Sequence, residues 1–245
     1  GEPDYVVYFE RPWIKKLRQL KAGQYNEVFS LKNLPQNHLD EVMGGKYSID
    51  EYVDHHLSHA SSTYFTSPYK ESAVVCIDAI GEFDTITIWY AKGNKLEKRY
   101  SQVYPHSLGL WYSAMTQRLD LKPQEDEFIL MGMAAWGKES KELQDELRQL
   151  LKQNLHKGCL DWDSDFMPDE GTSEWKFDVA HNVQIVCEEE IQQIFAKLPD
   201  LVPETTNVCY SGGVALNCVA NSLVVKDYPN LWILPNPGDA GSSLG

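Results

Sequence analysis

The sequence predicts an α/β fold, and three observations carry that reading. Residues 73–78, 85–91 and 96–103 form a meander of three strand-like runs. Helical periodicity dominates the stretch from 109 to 198. The last fifth then alternates, with a strand at 207–210, a helix at 214–225 and a strand at 231–234. No internal repeat of fixed period is present.

Taken in order, Tyr-Val-Val-Tyr-Phe at 5–9 reads as a strand that breaks at Pro12, and residues 13–20 have helical spacing. The polar stretch 32–45, with Pro35 and two glycines, reads as a loop with a short helix. Ser48 or Asp50 is expected to cap the helix that carries His55 and His59, and Ser67-Pro68 ends it. The run 73–78 is a buried strand tipped by Asp78. The run 85–91 is β-branched and aromatic, and Lys92-Gly93-Asn94 supplies a hairpin turn to the third strand.

Among the helices, 109–119 places Leu110, Tyr112, Met115 and Leu119 on one face. Residues 128–136 are apolar nearly all round and are therefore expected to be buried. Residues 139–155 are amphipathic, with Leu143, Leu147, Leu150 and Leu151 inward. Residues 183–198 repeat the pattern through Val186, Ile191, Ile194 and Phe195, and Glu188-Glu189-Glu190 reads as a solvated face. Asp161-Trp162-Asp163-Ser164-Asp165 resembles a calcium loop only at its start. Phe166 stands where the turn glycine is needed and Thr172 where the bidentate glutamate is needed, so it reads as a surface loop.

A chain of 245 residues with 42% hydrophobic residues can build a substantial core. A net charge of -14 argues against a sequence-independent nucleic-acid binder, which needs a basic face to displace counterions, but leaves room for a local basic pocket for phosphate. The cysteines Cys76, Cys159, Cys187, Cys209 and Cys218 form no CxxC pair and read as reduced residues of a cytoplasmic protein. No apolar run suits a membrane span, and Gly1 opens no signal-peptide pattern. Without an initiator methionine, the chain reads as an excised or processed piece.

The chemistry gathers at a few points. His55 and His59, four residues apart, share one helical face. With the strand-end carboxylate of Asp78 they can share one metal ion if the fold joins them. Three glycine turns follow strand ends: Gly81-Glu82, Gly212-Gly213, and Gly238-Asp239-Ala240-Gly241-Ser242. Such turns let backbone amides approach an anion, although each also reads as a plain tight turn. None is a Walker loop or a G-x-G-x-x-G fingerprint. Asp239, like Asp78, could hold a divalent metal that binds phosphate. Asn217 could reach a ribose or phosphate, or simply be solvated.

Six ordered motifs carry a resemblance over nearly the whole chain. They are His-His-Leu-Ser-His-Ala at 55–60, Asp-x-x-Gly-Glu at 78–82 and Pro-His-Ser-Leu-Gly-Leu-Trp-Tyr-Ser-Ala at 105–114. Met-Gly-Met-Ala-Ala-Trp-Gly at 131–137, Gly-Gly-Val-Ala-Leu-Asn-Cys at 212–218 and Gly-Asp-Ala-Gly-Ser-Ser-Leu-Gly at 238–245 complete them. Tyr8-Phe9-Glu10-Arg11-Pro12 is similar to a further element. Together they resemble the O-carbamoyltransferase family of nodulation and antibiotic biosynthesis.

The resemblance implies an actin-like ATPase fold, of the ribonuclease H-like, sugar-kinase and heat-shock-chaperone architecture, akin to the TsaD carbamoyl-transfer domain. It implies a metal held by His55, His59, Asp78 and Asp239, with Fe(II) favoured and Mn(II) or Zn(II) also suited. Adenine nucleotide would be bound by Gly81, Glu82, Gly212, Gly213, Asn217, Gly238, Asp239, Gly241 and Ser242. A separate C-terminal YrdC-like domain of the same enzyme would make carbamoyl-adenylate from ATP and carbamoyl phosphate. The present domain would transfer the carbamoyl group to a hydroxyl of a small-molecule acceptor, sugar-like or antibiotic-like. His106 and Glu127 are the candidates for catalytic pocket roles. A homodimer is compatible with the resemblance.

The chain departs from the family at Ile129, where a lysine is common. By the resemblance it is also a fragment, 1–245, lacking the N-terminal strands and the adenylating domain, and inactive alone. Two other readings stay open at this point. One is a non-catalytic nucleotide-binding module of the same fold, and the other is a sugar-type kinase. The histidine pair weighs against the kinase, because magnesium prefers oxygen ligands.

Overall fold

The computed structural model of the chain describes residues 2–31, 34–154 and 172–245. The strand expected at 5–9 shortens to β1 (Val7–Tyr8), which pairs in parallel with β2 (Glu51–Tyr52). Between them lie α1 (Pro12–Lys21), α2 (Tyr25–Phe29) and α3 (Pro35–Met43). Pro12 opens α1 rather than merely breaking a strand, since the first turn needs no amide donor there. The next helix, α4, spans His55–Thr66. Its cap is neither Ser48 nor Asp50. Those residues precede β2, and Asp54 caps the helix by accepting from the Leu57 amide at 3.0 Å.

The meander follows as β3 (Glu71–Gly81), β4 (Asp84–Lys92) and β5 (Lys95–Val103). Then come α5 (Leu108–Arg118), α6 (Glu127–Met133), α7 (Lys141–Gln153), α8 (Ser173–Phe195) and α9 (Leu198–Leu201). The chain returns through β6 (Val208–Ser211), α10 (Cys218–Asp227), β7 (Leu231–Ile233) and α11 (Asp239–Ser242). The larger sheet has the order β5-β4-β3-β6-β7. β4 lies antiparallel to both of its neighbours, and β6 is parallel to β3 and to β7.

Alternation along β3 feeds two layers. Ala73, Val75 and Ile77 face a core that includes Trp111, Met115, Val183, Val186 and Ile191 from α5 and α8. Val74 and Cys76 face the opposite side, where Ala60 and Tyr64 of α4 pack with Trp89. The sheet is thus sandwiched, with α4 on one face and the crossover helices on the other.

Several elements differ from expectation. The segment 128–136 is not buried all round. It is α6 followed by a 3₁₀ turn, Ala134–Trp136, so only one side meets α8. Leu130 and Ala134 are buried, while Phe128 and Trp136 are 66% and 78% exposed. The helix expected at 183–198 begins at Ser173, capped by Thr172, and Pro199 lies within the separate α9. The helix expected at 214–225 divides into a 3₁₀ turn, Gly213–Leu216, and α10. The acidic run is more than a solvated face, because Glu189 accepts two hydrogen bonds from Arg148 at 2.9 Å and burial raises the Glu190 pKa. Cys76, Cys187 and Cys209 are free and buried, and Cys218 is free and exposed. Cys159 and the Asp161–Asp165 segment lie outside the described residues.

Candidate metal centre

The same alternation that turns Val74 and Cys76 toward α4 turns Asp78 toward it as well. There α4 presents His55 and His59, one turn apart and both fully enclosed. Asp239 arrives from the other end of the sequence. It opens α11, which rests on α4 through a hydrogen bond from Ser58 Oγ to the Ser242 carbonyl at 2.7 Å. One donor atom from each of His55, His59, Asp78 and Asp239 lies within 4.8 Å of all the others.

The spacings are short. The two Nε2 atoms are 3.1 Å apart, and His55 Nε2 lies 3.2 Å from Asp78 Oδ2 and 3.5 Å from Asp239 Oδ1. His59 Nε2 lies 3.3 Å from Asp239 Oδ1 and 4.0 Å from Asp78 Oδ2. Two imidazole nitrogens bound to one ion at about 2.0–2.1 Å would sit roughly 2.9–3.4 Å apart, which brackets the observed separation. Two nitrogens and two carboxylates form a donor set suited to a divalent transition metal. The residues fit such an ion.

Electrostatics agree with that donor set. Burial works against a charged His55, but its hydrogen bonds to Asp239 and Asp78 prevail and raise its pKa to about 10. Burial also opposes ionisation of the carboxylates. The imidazoles outweigh it, holding Asp78 well below the usual carboxylate range and Asp239 at about 2. A metal ion would therefore displace a proton from this cluster. His56, between the two, goes the other way: burial lowers its pKa to about 4. Its Nδ1 lies 2.9 Å from Thr87 Oγ1, which also accepts from Trp89 Nε1 at 2.8 Å.

The glycine turns serve this cluster at close quarters. A Cβ on Gly81 would overlap the His55 ring, so only glycine lets the strand end pass beneath the histidines. Gly212 has φ +91°, and a Cβ there would run into the Ile77 carbonyl. Its amide donates to the Pro237 carbonyl at 2.9 Å. The Gly213 amide donates to Asp78 Oδ1 at 3.1 Å. Gly238 precedes α11 as its cap, its carbonyl accepting from the Gly241 and Ser242 amides at 3.0 and 3.2 Å. Ser242 is buried and donates through Oγ to the Asp239 carbonyl at 2.6 Å.

The remaining candidates make contacts of their own. Glu82 is buried, and Arg11 engages it from Nε at 2.9 and 3.0 Å and from Nη2 at 2.5 Å. Asn217 is the buried cap of α10. It accepts from the Ala220 amide at 3.1 Å and exchanges hydrogen bonds with Gln184, itself bonded to the Tyr112 hydroxyl. Glu127 Oε1 accepts from Ser113 Oγ at 2.5 Å and from the Gln124 amide at 2.6 Å. His106 is exposed, and its carbonyl accepts from Thr85 Oγ1 at 2.5 Å.

Sequence reasoning missed a second arrangement at the rim. Arg11 also bonds Asp54, the cap of α4, at 2.6 Å, and the Phe9 ring lies 5.6 Å from the His55 ring. The Tyr-Phe-Glu-Arg-Pro element carried these residues, but nothing in its spacing pointed to Glu82, 71 positions away.

Comparison with known proteins adds to the geometry. The sequence model of the family described as "Carbamoyltransferase N-terminus" matches residues 46–245. An uncharacterized protein of Synechocystis sp. is 31% identical, over 100% of this chain and 46% of its own length. The nodulation protein NolO of Bradyrhizobium diazoefficiens is 28% identical over 79% of this chain and 37% of its own. The chain thus spans less than half the length of these relatives. Among solved structures, the activator of the 2-hydroxyisocaproyl-CoA dehydratase from Clostridium difficile, with bound ADPNP, is similar with TM-score 0.50 and 11% identity. The match covers 93% of this chain and 77% of that one. That likeness concerns the fold alone, which is the actin-like ATPase fold. Among the described residues, no helix is long and apolar enough to cross a membrane.

Proposed function

The chain belongs to the carbamoyltransferase N-terminal family, and from that premise we propose that it takes part in O-carbamoyl transfer from carbamoyl-adenylate to an acceptor hydroxyl. The observation that carries the reading is the cluster of buried His55, His59 and Asp78 with the more exposed Asp239, their donor atoms within 4.8 Å of one another. These four residues would hold a divalent ion, Fe(II) first, with Mn(II) or Zn(II) as the other suited metals. When bound, the ion would supply positive charge for the phosphate oxygens of the departing adenylate.

In this reading the acceptor oxygen bonds to the carbamoyl carbon, the carbon–oxygen bond to phosphate breaks, and AMP leaves. The hydroxyl proton passes to a base. Of the two candidates, His106 is the less engaged by other protein groups. Its ring is at the surface, whereas Glu127 Oε1 is already engaged by Ser113 and Gln124. ATP and carbamoyl phosphate would be consumed elsewhere in the longer protein, and a C-terminal adenylating domain would deliver the intermediate. The acceptor is a small molecule bearing a hydroxyl.

Two measurements on the full-length protein test this. Metal analysis of wild type against His55→Ala should show bound metal falling from near stoichiometric to a small residue, because the ring is a central donor. Equal content in both would remove the metal reading. Pyrophosphate release should depend on carbamoyl phosphate, and AMP release on an acceptor hydroxyl. Production of ADP instead would favour a kinase, and nucleotide binding without turnover would favour a non-catalytic module.

A further inference from the structure

We infer that the Gly212–Gly213 turn is a positioning element for the metal ligands, in which the Gly213 amide orients the Asp78 carboxylate. The inference rests on the metal reading above and adds to it the group that aims one ligand. Asp78 divides its two oxygens between two tasks. Oδ2 faces His55 Nε2 at 3.2 Å, and Oδ1 accepts from the Gly213 amide at 3.1 Å. The carboxylate is only 9% exposed, so solvent cannot replace that donor freely. An amide held by a carboxylate makes a charge-assisted hydrogen bond, which fixes the direction of the remaining oxygen.

The neighbouring amide supports the other carboxylate arm. Gly212 donates to the Pro237 carbonyl at 2.9 Å, two residues before Asp239. The turn therefore lies between the two chain segments that bring the carboxylates together. Both amides are committed within the protein, and an N–H has one proton to donate. The turn's glycines are thus explained by ligand placement, apart from any contact with a nucleotide.

Gly213 also offers a clean probe. A Cβ there would lie 3.1 Å from Asp78 Oδ1, the one atom within 4 Å beyond its own turn of chain. Gly213→Ala therefore presses on the carboxylate alone. Gly212 cannot serve, because its left-handed backbone and its approach to Ile77 would confound the result.

The test uses the full-length, nucleotide-free protein and Co(II) alone, followed by its visible absorption. Gly213→Ala should bind Co(II) about 10–100-fold more weakly than wild type, the usual loss when an outer partner of a ligand is disturbed. The unfolding midpoint of the metal-free variant should match that of metal-free wild type. Equal Co(II) affinity would overturn the inference and leave the metal reading intact. Failure of wild type to bind Co(II) would remove both. A fall in the metal-free midpoint large enough to explain the weaker binding would mark a merely structural role and also overturn it. In wild type, independent of any variant, Zn(II) should slow hydrogen exchange at the Gly213 amide several-fold, and unchanged exchange would count against the inference.

Discussion

The described residues of 53–245 and those of 2–52 meet the demand for burial in opposite ways. The longer region encloses side chains from both faces of the sheet, among them Trp111, Ile77, Ile191 and Tyr210. In the shorter one, α1 and α2 bury no residue and α3 buries only Pro35. Trp13, Leu17, Tyr25, Phe29 and Val42 of that region are exposed. The first region is held by apolar area removed from water. The second is fastened beside the His55 helix by polar bonds, from Arg11 to Glu82 and to Asp54. The difference teaches that the His55 helix has a closely packed apolar side and a front edge fastened by charge.

The largest effect should come from setting two tryptophans against each other. Trp111 is 1% exposed in the main core, so Trp111→Ala should cost about 3–5 kcal/mol through lost burial and a cavity. Trp13 is 51% exposed and touches Tyr52 edge-on at 5.2 Å, so Trp13→Ala should cost no more than about 1 kcal/mol. Urea unfolding of the two variants gives both numbers. Comparable losses would erase the distinction between the regions.

Much of this arrangement was legible before the structure. The meander, the acid tip at Asp78 and a strand at 207–210 follow from alternation and turn residues, whereas the parallel pairing of that strand with β3 is seen only in the structure. The four candidate ligand positions came from motif order, because two of them lie at helix spacing while Asp239 is 184 residues from His55. No local pattern joins residues so far apart. The histidine helix was mis-capped because Ser48, Asp50 and Asp54 all suit a cap, and only pairing of Glu51 with Val7 decides that a strand intervenes. The roles of Gly81 and Gly213 were also hidden. A glycine in a turn shows freedom of backbone, not which ring or carboxylate will need the space.

A smaller effect should follow from loosening the front edge. The Glu82 carboxylate is 4% exposed and Arg11 is 34% exposed, so Arg11→Ala leaves a buried charge unpaired. The loss should be about 2–3 kcal/mol, below that for a fully buried pair because solvent already reaches the guanidinium. Arg11→Lys should recover only part of it, since an ammonium cannot reproduce the planar two-point contact. Hydrogen exchange should quicken in 2–52 while the amides of β3 and α8 stay protected. Uniform loosening of the whole chain would show that the N-terminal region is integral to the core.

The smallest effect is expected inside the well-buried region itself, at α6 and the turn after it. Apolar composition alone would bury Trp136, and truncating a buried tryptophan costs about 3–5 kcal/mol. In the structure it is 78% exposed, because a short helix and a 3₁₀ turn can press only one side against α8. Leu130 and Ala134 occupy that side, and the Ala134 carbonyl lies 2.7 Å from His181 Nδ1. Trp136→Ser should therefore change stability by no more than about 0.5 kcal/mol, the usual range for a surface position. Leu130→Ala, at 0% exposure on the same short helix, should cost about 2–5 kcal/mol. A large loss at Trp136 would mean that composition predicted its burial correctly, and that the boundary between the two kinds of packing does not run along this helix.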